Sequence, residues 1–82
     1  MLAREEPEDA RAQFERAVEL DPSIAVAHLG LGLAVIRLGS LEAGRAELAK
    51  AVHLEPRVSL YRSYLGKAFF EEDNRTLAEQ EI

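Results

Sequence analysis

The stretch from Ile24 to Ile36, IAVAHLGLGLAVI, is apolar on almost every face, whereas a helix on the surface of a protein leaves one side polar. A helix of this kind must be covered on more than one side. The covering elements are written into a repeat of 34 residues, because sliding the chain by that amount gives eleven identities over 48 comparable positions. Chance would give about three at ordinary composition. The matched pairs include Glu8 and Glu42, Arg11 and Arg45, Ala17 and Ala51, Val18 and Val52, Pro22 and Pro56, Leu31 and Leu65, Gly32 and Gly66, Ala34 and Ala68, and Glu47 and Glu81. Other pairs keep their physical character: Phe14, Leu48 and Ile82 are large and apolar, and Ala10, Gly44 and Ala78 are small. Small residues let two helix axes come close while large ones fill the groove beside them, which describes a helical hairpin.

Local chemistry sets the boundaries. Pro7 suits a first helical position, where the missing amide hydrogen costs nothing, and Pro22 and Pro56 stop whatever precedes them. Gly39 suits a left-handed helix end, and Ser40 can accept from the free amides of the next helix. Asn74 occupies the place of Ser40 one period later. These signals predict five helices near 7–20, 23–37, 41–54, 58–71 and 75–82, with short connections that make neighbours antiparallel.

With 82 residues the chain is one compact domain or a short piece of an array. Ten basic against fifteen acidic residues give a net charge of -5, the wrong sign for a partner covered in phosphate, so nucleic acid is not an expected partner. No stretch reaches the roughly 18 apolar residues a membrane-spanning helix needs, and the start, MLAREEPEDA, is acidic rather than a basic segment before an apolar one. A soluble, uncleaved chain is expected, with no direct membrane insertion and the cytoplasm the favoured compartment. There is no cysteine, hence no disulfide, thiolate metal site or cysteine nucleophile.

At its spacing, the set Leu31, Gly32, Val35, Gly44, Leu48, Ala51 and Pro56 resembles the signature of the tetratricopeptide repeat family. Leu65, Gly66, Phe69, Ala78 and Ile82 open another copy, and Ala10, Phe14, Ala17 and Pro22 close an earlier one. The resemblance implies an all-α chain of antiparallel hairpins stacked as a right-handed solenoid. Residues 5–24 would be the second helix of a first repeat, 25–58 a complete repeat and 59–82 a partial third, a segment of a longer bacterial-type array. Two positions depart from the pattern: His28 and Arg62 stand where the family usually has Trp, and Gly44 replaces the usual Ala.

A repeat buries its apolar side only against its neighbours. Here the first helix presents Phe14, Ala17, Val18 and Leu20 with no helix before it, which makes self-association through the open ends a possible mode of assembly. By register, Leu31, Val35 and Leu38 belong to the core within the repeat, and Val26, Leu29, Leu33 and Ile36 project from another side. The resemblance implies that this side lines a concave groove, extended by Leu60, Ser63, Tyr64, Lys67 and Phe70 from the next repeat. Family members that clamp a C-terminal carboxylate use Lys and Asn at groove positions, where this chain has Leu29, Gly30 and Leu33 followed by Ser63, Tyr64 and Lys67. With that clamp missing, the expected ligand is a protein or peptide offering an apolar strip. The alternative is a structural or oligomerising spacer whose groove is filled by its own kind.

Catalytic chemistry finds no footing. His28 and His53 lie on different helices without a metal-ligand spacing, and His28 is expected to replace the family's aromatic in a helix contact. Ser23, Ser40 and Ser59 stand at helix starts, where capping explains them. Gly30 and Gly32 fall inside a helix, where packing explains them better than a phosphate loop. Glu71, Glu72 and Asp73 read as a solvated turn rather than a calcium loop, since Arg75 falls at a ligand spacing. Glu8 with Arg11 and Glu42 with Arg45 form repeated i,i+3 pairs that support solubility. No enzyme, cofactor or metal is expected.

Overall fold

The computed structural model of the chain describes the backbone of residues 6–80 and the side chains of residues 6–76. Four α-helices follow one another, α1 (Pro7–Leu20), α2 (Ala25–Arg37), α3 (Leu41–Leu54) and α4 (Ser59–Gln80), with no strand among the described residues. Pro7 stands in the first turn of α1 as expected.

The 34-residue period reappears in the backbone hydrogen bonds of the turns. The amides of Asp21 and Glu55 donate to the carbonyls of Ala17 and Ala51, both at 3.0 Å. Those of Ile24 and Val58 donate to Asp21 and Glu55 at 3.4 and 3.3 Å, and those of Ala27 and Tyr61 to Ile24 and Val58 at 3.1 Å. The turn that leads from α1 into α2 is thus made again between α3 and α4. The serines do not cap as expected. Ser23 gives its hydroxyl and amide protons to Asp21 Oδ1, at 2.6 and 3.0 Å, an Asx turn that keeps Ser23 out of the helix, so α2 begins at Ala25 rather than near residue 23. Ser40 sits at the N-cap of α3 without a side-chain cap bond.

At the end of α2 the glycine acts as the sequence implies. Gly39 has φ 97°, and the amides of Gly39 and Ser40 turn back to the carbonyls of Ile36 and Val35 at 2.9 and 3.1 Å, which satisfies the last carbonyls of the helix. The expected break near Asn74 is not made: α4 runs unbroken from Ser59 to Gln80, so the described residues hold four helices rather than five. The physical reason lies one residue earlier. Asp73 stands in the register of Gly39, and among the described residues no other than Gly39 adopts a positive φ, a conformation that costs roughly 1–2 kcal/mol for a residue with a Cβ. Continuing an existing helix adds a hydrogen bond per residue, whereas starting a new one of about eight residues requires a costly nucleus. Thr76 fits the continuous helix, its hydroxyl donating to the Glu72 carbonyl at 3.0 Å. Glu71, Glu72 and Asp73 therefore lie within a helix, not in a turn. Ile82 and Glu81 lie outside the described residues, as does the side chain of Ala78.

Packing centres on α2 and α3. These two share the most extensive interface, α1 leans on α2, and α4 leans on α3. The core joins Ala25 and Leu29 of α2, Leu48 and Ala51 of α3, and Ala68 of α4. Leu48 and Ala51 are fully enclosed. The glycines set how near α2 and α3 come: a Cβ on Gly32 would lie 2.8 Å from the Gly44 carbonyl oxygen, and one on Gly44 2.7 Å from that of Gly32. Gly44 thus exchanges helix propensity for a close crossing. Of the expected core residues on α2, Leu31 is buried while Val35 and Leu38 are half-buried. Gly30 faces away from this crossing and meets the ring of Phe14, which seats α1 against α2.

Candidate binding cleft

Two polar arrangements lock the helices around the cleft. The ring of His28 is 5% exposed and bridges two elements, with Nδ1 2.8 Å from Glu47 Oε1 and Nε2 2.7 Å from the Pro22 carbonyl. The expected helix contact is present, made with hydrogen bonds. Burial raises the Glu47 carboxyl, but hydrogen bonds from His28 and Lys50 outweigh it and hold the group below its ordinary value. On the other side of α3, Arg45 Nε donates to Glu72 Oε1 at 2.6 Å, and its guanidinium lies 5.0 Å from the centroid of the Phe69 ring. The expected pairs of Arg45 with Glu42 and Arg11 with Glu8 do not form. Arg45 is drawn to the carboxylate and ring that α4 offers, and Arg11 lies 3.9 Å from Glu15 instead.

These contacts leave a cleft of about 500 Å³ between α1, α2 and α4. Leu33 and Ile36 of α2, Tyr64 of α4 and Phe14 of α1 line it. Leu33, Ile36 and Tyr64 are half-buried and rest on the core. At its polar end stand Arg37 of α2 and Lys67 and Glu71 of α4, all exposed.

Of the nine residues expected to line a groove, the structure brings Leu33, Ile36, Tyr64 and Lys67 to this cleft. Leu29 is 8% exposed and belongs to the core with Ala68. Val26, Leu60 and Phe70 are exposed at 54%, 56% and 65%, and Ser63 is exposed as well; none of the four lines the cleft. Sequence reasoning missed Phe14, Arg37 and Glu71. For the last two a signal existed, since each lies one helical turn beyond a residue already on that face, Leu33 and Lys67 respectively. Phe14 gave none.

A larger, more open hollow of about 750 Å³ lies where α4 continues past the start of α3, walled by Glu42, Arg45, Glu72 and Arg75. It has no comparable apolar floor. Among the described residues no group of three or more His, Asp or Glu is placed to hold a metal ion, and none of the helices is long and apolar enough to cross a membrane.

A family model described as tetratricopeptide repeat matches residues 2–57. No curated protein and no solved structure matches the chain.

Proposed function

The chain belongs to the tetratricopeptide repeat family, and from that premise we propose that it is a noncatalytic binding module whose cleft between α1, α2 and α4 receives an apolar peptide or helix. Repeats of this family mediate protein–protein interaction. In this reading α2 and α3 form the complete repeat, α1 is the second helix of the one before, α4 begins the one after, and the hairpins stack as a right-handed solenoid. The observation that carries the proposal is the convergence of Leu33, Ile36, Tyr64 and Phe14 from three helices on one open cleft. Their half-exposed apolar surface is the kind a partner's side chains can desolvate.

The test is selection of short amphipathic peptides against the isotopically labelled chain, followed by mapping of the bound peptide by amide chemical shifts. Shifts clustered on 30–37 and 64–71 support the reading. Peptides that bind elsewhere, or no saturable binding at all, would refute it.

A second reading is favoured by a separate observation. On α4 Phe69 and Phe70 are 46% and 65% exposed, and a Cβ on Gly66 would meet nothing within 4 Å, although its counterpart Gly32 is enclosed. On α1 no residue is buried, and Leu20 is 80% exposed. In this reading the chain is a spacer or oligomerising segment whose free faces are covered by other copies. Sedimentation equilibrium decides it: a mass that stays monomeric into the high micromolar range excludes self-association.

A further inference from the structure

The rim of the cleft carries more information about the occupant than its floor does. Arg37 and Lys67 both line the cleft, one from α2 and the other from α4, and neither makes a hydrogen bond or ion pair among the described residues. Arg45 and Lys50, by contrast, are each paired with a glutamate. Against these two cations the rim sets one carboxylate, that of Glu71, so the mouth of the cleft is locally basic in a chain whose net charge is -5. A local field opposite in sign to the rest of the surface orients a charged partner and disfavours its binding elsewhere.

Building on the peptide-binding reading above, we propose that the occupant is an amphipathic protein segment whose apolar strip is flanked by a carboxylate side chain. The apolar side chains lie on Leu33, Ile36, Tyr64 and Phe14, and the carboxylate is held between Arg37 and Lys67. The volume of about 500 Å³ admits a few side chains of a segment whose backbone stays outside. Such a bridge also has a mechanical effect. The most extensive contacts of α2 are with α1 and α3, and those of α4 are with α3, so a ligand spanning both walls ties together two helices otherwise joined mainly through a third.

The experiment is a displayed library of amphipathic segments with the residue beside the apolar strip varied among Glu, Gln and Lys. It is selected against the whole chain and against the Arg37→Gln/Lys67→Gln double variant. Both positions are exposed, so the variant keeps its fold, which circular dichroism verifies. Glu is expected to be enriched, and a selected peptide should weaken about five- to ten-fold on Glu→Gln exchange, as a partly desolvated ion pair would. That loss should vanish on the double variant. Peptides that map to the cleft without preferring Glu overturn the inference and leave the binding reading standing. If no peptide binds, both fall. If decanoate fills the cleft and competes with the peptides, the occupant is a small apolar acid and the proposal of a protein segment is wrong.

Discussion

His28 and Glu47 meet across the crossing of α2 and α3, with Nδ1 and Oε1 2.8 Å apart, and the other nitrogen of the same ring holds the Pro22 carbonyl that ends the turn out of α1. One side chain therefore fixes three consecutive elements. In the next repeat Arg62 takes the register of His28, but it is exposed and reaches the Ser59 hydroxyl at 3.4 Å.

The carboxylate in this link should make the fold acid-sensitive. Because the folded state holds Glu47 below its ordinary 4.5, its contribution is fully present above that value and is lost as the pH falls through the lower, folded one. Thermal melts from pH 7 down to pH 2 should show the midpoint dropping in that window. Asp21, held low by the hydroxyl and amide of Ser23, titrates in the same direction, so Glu47→Gln is needed to isolate the term. The variant keeps an amide oxygen that can accept from His28 but loses the charge, so it should lose about 1 kcal/mol at neutral pH, the difference between a charge-assisted and a neutral hydrogen bond, and show a shallower acid dependence. An unchanged acid slope would assign the sensitivity elsewhere.

Three glycines in equivalent helical settings should respond with opposite signs to the same substitution. Gly32→Ala and Gly44→Ala place a methyl within 2.8 Å of a carbonyl oxygen, and overpacking of about 1–3 kcal/mol exceeds the gain in helix propensity of about 1 kcal/mol. Both variants should be destabilised in urea titrations. At Gly66 nothing lies within 4 Å, so Gly66→Ala should stabilise by about 0.5–1 kcal/mol. Loss of stability at all three would mean that the open side of α4 is covered in solution.

The continuity of α4 past residue 73 is attributable to Asp73. Asp73→Gly restores the residue type that lets α2 end at Gly39, and should lower helical content and speed amide exchange beyond residue 73, while Asp73→Ala slows that exchange. Equal exchange in all three proteins would place the cause outside residue 73.

The period and the helix boundaries near 7–20 and 41–54 were legible because Pro7, Gly39, Pro22 and Pro56 act through their own backbones and need no neighbour. That two helices come close was legible for a related reason, since small residues in register permit it, but the partnership of Gly32 with Gly44 was not, because Gly44 reads along the chain only as a loss of helix propensity. The candidate cleft was only half legible. Leu29 and Leu33 share a stripe at the spacing of one turn, yet Leu29 packs in the core with Ala68 while Leu33 remains at its edge. That difference depends on where α4 lies, which the spacing within α2 does not contain. Phe14 likewise becomes a wall of the cleft only because it fills the space over Gly30 on another helix. The extra turns of α4 were missed because Asn74 suggested a break that the Asp73 backbone does not make.

Since α1 and α4 each make their most extensive contact with one neighbour while α2 and α3 embrace, loss of structure has a natural direction. The flanks fray first and the central pair holds longest, so a calorimetric transition broadens as conditions weaken the outer contacts. A ligand gripping both walls of the cleft would sharpen that transition, giving the melting profile itself a memory of what is bound.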